Sequence, residues 1–172
     1  MEKKVLVACA SKYGATAEIA SRVGSVLQAA GLPVDVKRAG EVTDLASYDA
    51  VILGSAVYAG QWRQEAADFL KENEQVLKSV PVWLFSSGPT GEGDPVALMQ
   101  GWRFPEALQP IADRIGTRDV AFFAGAIDMN RLNLAEKLIV KAVKAPDGDF
   151  RDWAVIEAWA SGIAGALQMT AV

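Results

Sequence analysis

The stretch Ser11-Lys12-Tyr13-Gly14-Ala15-Thr16 follows a short apolar run and passes directly into a helical pattern. Backbone N–H groups and two hydroxyls therefore collect at a helix N-terminus, an arrangement that binds anions. Gly14 lets the backbone approach a phosphate closely, and Ser11 and Thr16 donate hydrogen bonds without large side chains. Taken alone, the same residues also read as a turn and an N-cap. The chain has no G-x-x-x-x-G-K-[ST] motif and this loop has no G-x-G-x-x-G, which argues against a P-loop NTPase and against a dinucleotide site.

Two later loops bear on the same chemistry. Gly54-Ser55-Ala56-Val57-Tyr58-Ala59-Gly60-Gln61-Trp62 sets two aromatics just beyond an apolar run, where a planar ring can stack between or beside them. Singly, Tyr58 and Trp62 read more often as packing residues. Ser86-Ser87-Gly88-Pro89-Thr90-Gly91 is a turn rich in free N–H groups and hydroxyls, suited to the polar edge of a heterocycle.

Composition narrows what such a site can do. The 172 residues contain no histidine and a single cysteine, Cys9. Ser/His/Asp and Cys/His catalytic sets are therefore excluded, as are an intramolecular disulfide framework and the usual thiolate cluster for zinc or iron–sulfur. Demanding chemistry would fall to a cofactor. Asp94, Asp128, Asp147 and Asp149 form neither a calcium loop nor a paired catalytic set and read as loop acids. A net charge of −4 and a pI near 4.9 argue against general attraction to nucleic acid. The first apolar run is too short for a secretion signal, and no run approaches the roughly 20 apolar residues of a membrane span, so a cytoplasmic location is expected.

The elements that must position these loops alternate along the chain. Short runs rich in Val, Leu and Ile at 4–10, 34–38, 50–55, 82–86 and 120–126 read as strands, and helical periods occupy 15–30, 64–78, 105–114, 132–144 and 152–167. Gly31 and Pro33 stop the first helix, and Asp152 caps the last. This is the pattern of a doubly wound α/β domain with five parallel strands and helices on both faces. One domain spanning 1–172 is expected. In the strand order 2-1-3-4-5, the carboxyl ends of the first, third and fourth strands adjoin one crevice at the topological switch point. The three loops then converge there. The irregular stretch 87–104 begins at that crevice and reads either as a surface loop or as a loop closing over a ligand.

On these residues the sequence resembles the flavodoxin-like superfamily and, within it, the menaquinone-dependent protoporphyrinogen oxidase family. Ser11 to Thr16 resembles the family's phosphate loop, Gly54 to Gly60 its first isoalloxazine loop, and Ser86 to Gly91 stands in place of the second. The narrower likeness rests on Gly125-Ala126-Ile127-Asp128, a lysine-bearing amphipathic helix, and Phe150-Arg151-Asp152-Trp153. The resemblance implies FMN held by Ser11, Lys12, Tyr13, Gly14, Ala15, Thr16, Ser55, Ala56, Val57, Tyr58, Ala59, Gly60, Trp62, Ser86, Ser87, Gly88, Pro89, Thr90 and Gly91. It also implies an oxidoreductase passing electrons to a quinone or similar acceptor, with a porphyrinogen as substrate. The stretch 86–104 departs from that family's long insert in being less basic and richer in glycine and acidic residues. Competing readings are a flavodoxin electron carrier docking to protein redox partners, and a flavin-free interaction module.

Other residues carry weaker signals. Lys137, Lys141 and Lys144 form one helical stripe, read either as a solvated face or as a contact for an anionic membrane surface, a quinone-reducing complex or an acidic redox partner. Cys9 reads as packing, Trp83 as core, Trp102 as a cleft or edge residue, and Trp153 and Trp159 as anchors of the last helix.

Overall fold

The computed structural model describes residues 3–169. The main sheet contains β1 (Val5–Ala10), β2 (Val34–Arg38), β3 (Ala50–Tyr58), β5 (Val82–Ser87) and β6 (Asp119–Phe123), all parallel, in the order β2-β1-β3-β5-β6. Counted along these parallel strands, the order is 2-1-3-4-5, as the alternation of elements implies. A short strand β4 (Gln61–Trp62) folds back antiparallel on the end of β3, pairing Val57 with Trp62 and Tyr58 with Gln61.

β1, β3 and β5 are buried along nearly their whole length because both faces of the sheet are covered. Side chains alternate between two cores. Val5, Val7, Cys9, Ile52, Trp83 and Phe85 face α1 (Ala15–Ala29) and α7 (Trp153–Met169), meeting Ile19, Val23, Leu27, Ile156 and Leu167. Leu6, Ala8, Val51, Leu53, Val82 and Leu84 face α2 (Gln64–Glu72), α3 (Glu74–Leu77) and α5 (Gln109–Arg114), meeting Phe69, Leu70, Leu77 and Ile111. Each fully buried Leu or Ile here contributes about 1.5–3 kcal/mol of transfer free energy.

Several boundaries differ from the sequence reading. The helix expected over 64–78 breaks at Asn73, whose Nδ2 donates to the Phe69 carbonyl (2.9 Å) and so competes with the regular helical bonds. The fifth parallel strand stops at Phe123, and Ala126–Ile127 forms a separate strand β7, paired antiparallel with β8 (Gly148–Asp149). Between them lies α6 (Leu134–Ala142), begun by a capping box in which Asn133 and Glu136 bond each other's backbone N–H groups.

The stretch after β5 folds back over the sheet. Asp94 caps the short helix α4 (Pro95–Leu98), Trp102 packs edge-on against Phe122 (5.2 Å) and Phe104 against Trp62 (5.0 Å). Trp83 lies in the core as read from sequence. Trp159 sits against Phe85 and Phe123 and donates to Asp119 (2.9 Å), while Trp153 is flanked by the guanidinium groups of Arg22 and Arg151. Cys9 is buried, and burial pushes its thiol up to about 11, so it is protonated and unreactive at neutral pH. Among the described residues no helix is long and apolar enough to cross a membrane.

Candidate functional site

A cleft of about 1050 Å³ opens at the carboxyl ends of β1, β3 and β5. That volume lies at the upper end of typical ligand pockets, about 300–1,000 Å³. Its lining joins the three loops singled out in the sequence: Ser11, Lys12, Tyr13, Ala15 and Thr16 from the first, Ala56 to Ala59 with Trp62 from the second, and Ser87 and Gly88 from the third.

The first loop is shaped for an anion. Gly14 caps α1 in the left-handed conformation (φ 93°), and its N–H donates to Ser11 Oγ (3.1 Å), which leaves the Ser11 hydroxyl proton free to point elsewhere. The first intrahelical bond runs from the Glu18 N–H to the Gly14 carbonyl, so the N–H groups of Ala15, Thr16 and Ala17 have no intrahelical acceptor. Thr16 is only 2% exposed yet lines the cleft, and its hydroxyl has no hydrogen-bond partner among the described residues.

The ring side is built by close backbone approach. A Cβ on Gly125 would lie 2.8 Å from the Gly88 carbonyl oxygen, and one on Gly88 would lie 3.2 Å from Val57 Cβ. Only glycines bring the ends of β3, β5 and β6 so near one another at the cleft floor. Tyr58, 45% exposed, stands at the mouth with the Arg63 guanidinium 5.9 Å from its ring centre, and burial raises its phenol above the ordinary range. Trp62, by contrast, is 6% exposed and donates its indole N–H to Ser86 Oγ (2.8 Å), which places it in the floor. Ser55 is also buried, its Oγ accepting from the Arg63 N–H (3.0 Å).

Gly14, Ser55, Gly60, Ser86, Pro89, Thr90 and Gly91 support these walls and are not part of the lining. Thr90 Oγ1 is buried without a hydrogen-bond partner among the described residues. Beyond Gly88 no residue of the stretch 89–104 lines the cleft. Trp102 lies outside it too, against Phe122.

The opposite wall comes from the β7–α6–β8 segment, which sequence reasoning did not connect to the site. Glu136 accepts from Lys12 Nζ (2.7 Å) and from the Tyr13 hydroxyl, while Arg131 donates to the Tyr13 carbonyl (2.7 Å). Arg151 binds both Asp149 oxygens (2.8 and 2.7 Å), the Ala15 carbonyl (3.1 Å) and Glu18, and these carboxylates, Asp149 foremost, raise its pKa further. The anion loop is thus clasped from outside at Tyr13 and Ala15. No local spacing marks the clasp: Glu136 reads in sequence as the third residue of a capping box, and Lys12 and Tyr13 reach it only in the folded chain. Asp128 and Asp147 cap the turn before α6 by accepting from the N–H groups of Asn130 and Met129. No group of acidic, Cys or His residues among the described residues could hold a metal ion.

The Lys12 ammonium, then the Tyr13 hydroxyl and the Asn133 N–H, lower the Glu136 carboxyl to about 2 from an ordinary value of 4.5. A lowered folded-state pKa means that this contribution is fully present above about pH 4.5 and is lost as pH falls toward 2. Carboxyl NMR should place the Glu136 midpoint well below the other glutamates, and Lys12→Gln should move it upward. An ordinary midpoint that Lys12→Gln leaves unchanged would mean that the clasp does not form in solution.

Comparison with known proteins agrees with this fold. A flavodoxin of archaeal origin superposes with a TM-score of 0.63 at 14% identity, covering 96% of this chain and 99% of its own. The flavodoxin of Streptococcus pneumonia TIGR4 gives 0.60 at 18% identity, covering 95% and 99%. Rubredoxin oxygen:oxidoreductase from Desulfovibrio gigas gives 0.62 at 15% identity over 98% of this chain and 37% of that larger protein. No curated protein sequence matches the chain. At these identities the likeness shows the fold. The family model described as "Flavodoxin domain" matches residues 6–153, most of the sequence, and the chain therefore belongs to the flavodoxin domain family.

Proposed function

We propose that the protein binds FMN in this cleft and works as an electron-transfer flavoprotein that exchanges electrons with a redox partner. The observation that carries this reading is the convergence of three loops on one cavity: a helix start with unsatisfied N–H groups, an exposed tyrosine, and a glycine-built floor. FMN fits this donor set. The N–H groups of Ala15 to Ala17 and the hydroxyls of Ser11 and Thr16 would hold the phosphate, Tyr58 would contact the ring, and the backbone at Gly88 would meet its polar edge. When bound, FMN supplies the redox centre, and the chain's own residues orient it and exclude water from one face.

FMN should bind more tightly than FAD, because the three loops suit a mononucleotide and the described residues hold no second dinucleotide-binding half. Titration of the purified protein with both flavins, followed by absorbance and flavin fluorescence, tests this. Equal or stronger binding of FAD would contradict the placement of the phosphate, and absence of binding by either would favour a flavin-free interaction module.

A second reading, oxidation of a small substrate such as protoporphyrinogen with a quinone as acceptor, draws support from the second wall. Ile139, Val140 and Val143 of the α6 region add an apolar side to the cleft beyond the three flavin loops. Turnover of protoporphyrinogen by the FMN-loaded protein separates an oxidase from a carrier.

A further inference from the structure

Between Arg131 and Lys144 four basic residues stand against one acid, Glu136, in a chain whose net charge is −4. Glu136 is already committed to Lys12 and Tyr13. Lys137, Lys141 and Lys144 make no salt bridge among the described residues, and the last two are exposed. Lys137 and Lys141 form one stripe along α6, bordered by Leu134 and Leu138, which are 76% and 59% exposed, and Lys144 follows just past the helix end in the left-handed conformation (φ 54°). The other side of the same helix lines the cleft through Ile139 and Val140. The α6 surface is therefore an apolar pair edged by cations that make no salt bridge among the described residues, on the helix whose other side lines the cleft, in a chain that is otherwise acidic.

We propose that the outer face of α6 is the docking surface for an acidic electron-transfer protein, which Leu134 and Leu138 anchor and Lys137, Lys141 and Lys144 steer. Interfaces that combine a small apolar centre with a charged rim associate by electrostatic steering, and the sign of the rim selects the partner. The excess of negative charge elsewhere on the chain repels the same partner, so the α6 face also fixes its orientation. This proposal rests on the flavin reading for the direction of electron flow. In the proposed exchange with a one-electron acceptor, one fully reduced FMN would give up two electrons and two protons, and two oxidised partner molecules would each take one electron.

The test uses an acidic haem protein, cytochrome b5, and a basic one, cytochrome c, as probes with the full-length protein. In 15N-labelled protein, titration with cytochrome b5 should shift amides of α6 selectively, and cytochrome c should not. Raising salt from about 0.01 to about 0.15 M shortens the screening length from about 30 to about 8 Å and should weaken the association about tenfold or more. With FMN bound and reduced by dithionite, the rate of cytochrome b5 reduction should fall to a similar extent in salt and in the variant Lys137→Gln/Lys141→Gln/Lys144→Gln. A Leu134→Ser/Leu138→Ser variant should lose affinity while keeping the salt dependence. Amide shifts at another face, or rates equal in the lysine variant and the parent, would overturn the proposal. So would lysine-dependent sedimentation with phosphatidylglycerol vesicles and no response to cytochrome b5, which would assign the face to a membrane. Because the amide titration needs no flavin, failure to bind FMN would be recognised separately.

Discussion

Thr16→Val is expected to weaken FMN binding roughly ten- to a hundredfold while leaving the fold intact. The residue is almost completely enclosed, yet its hydroxyl reaches the cleft with no partner among the described residues, at the positive end of α1. Valine matches its shape, so the change removes a donor and little else. A hydrogen bond to a charged phosphate oxygen contributes about 1.5–3 kcal/mol, and each 1.4 kcal/mol is about a factor of ten in affinity. Flavin fluorescence titration of parent and variant, with thermal unfolding as the control for folding, measures the effect. Unchanged affinity in a folded variant would remove Thr16 from the phosphate site.

Gly54→Ala should produce the largest loss of stability, even though it adds a single methyl group. Gly54 pairs with Cys9 on one side and Phe85 on the other in the middle of the sheet, and the Phe85 ring lies across the space a Cβ would take. Phe85 cannot easily move aside, because Phe123 and Trp159 pack against it at 5.7 and 5.9 Å. Overpacking of this kind costs about 1–3 kcal/mol. Urea unfolding should show a lowered midpoint at unchanged slope, and Gly54→Ala/Phe85→Leu should recover part of the loss, since contacting residues are not additive. A Gly54→Ala protein as stable as the parent would show that the ring relocates freely.

The parallel sheet was legible because its strands are buried on both faces and read as unbroken apolar runs, 50–55 and 82–86 above all. The site's first wall was legible for a related reason, since Gly14, Tyr58 and Gly88 lie just beyond strand ends where the topology brings them together. Trp62 illustrates the limit of that reasoning. Its position in sequence suits ring contact, and it does line the cleft, but from the floor, where the two-residue strand β4 sets it against Ser86 and Phe104, and nothing in the local pattern announces a turn that short. The second wall escaped notice because Glu136, Arg131 and Arg151 act through partners more than 100 positions away. Their roles depend on tertiary placement, not on any spacing within α6. The same is true of Gly125, whose need for a bare Cα arises from the Gly88 carbonyl just past the end of β5.

The clasp also has a bearing on the order of events as the chain is made. The anion loop leaves the ribosome well before the groups that brace it at Tyr13 and Ala15, which lie 118 to 136 residues later. A nascent chain that has completed β1, α1 and β3 possesses the loop without its braces, and closing so long a span carries an entropic cost that only the finished sheet can offset. A chain interrupted before Arg151 would leave the loop short of its last brace.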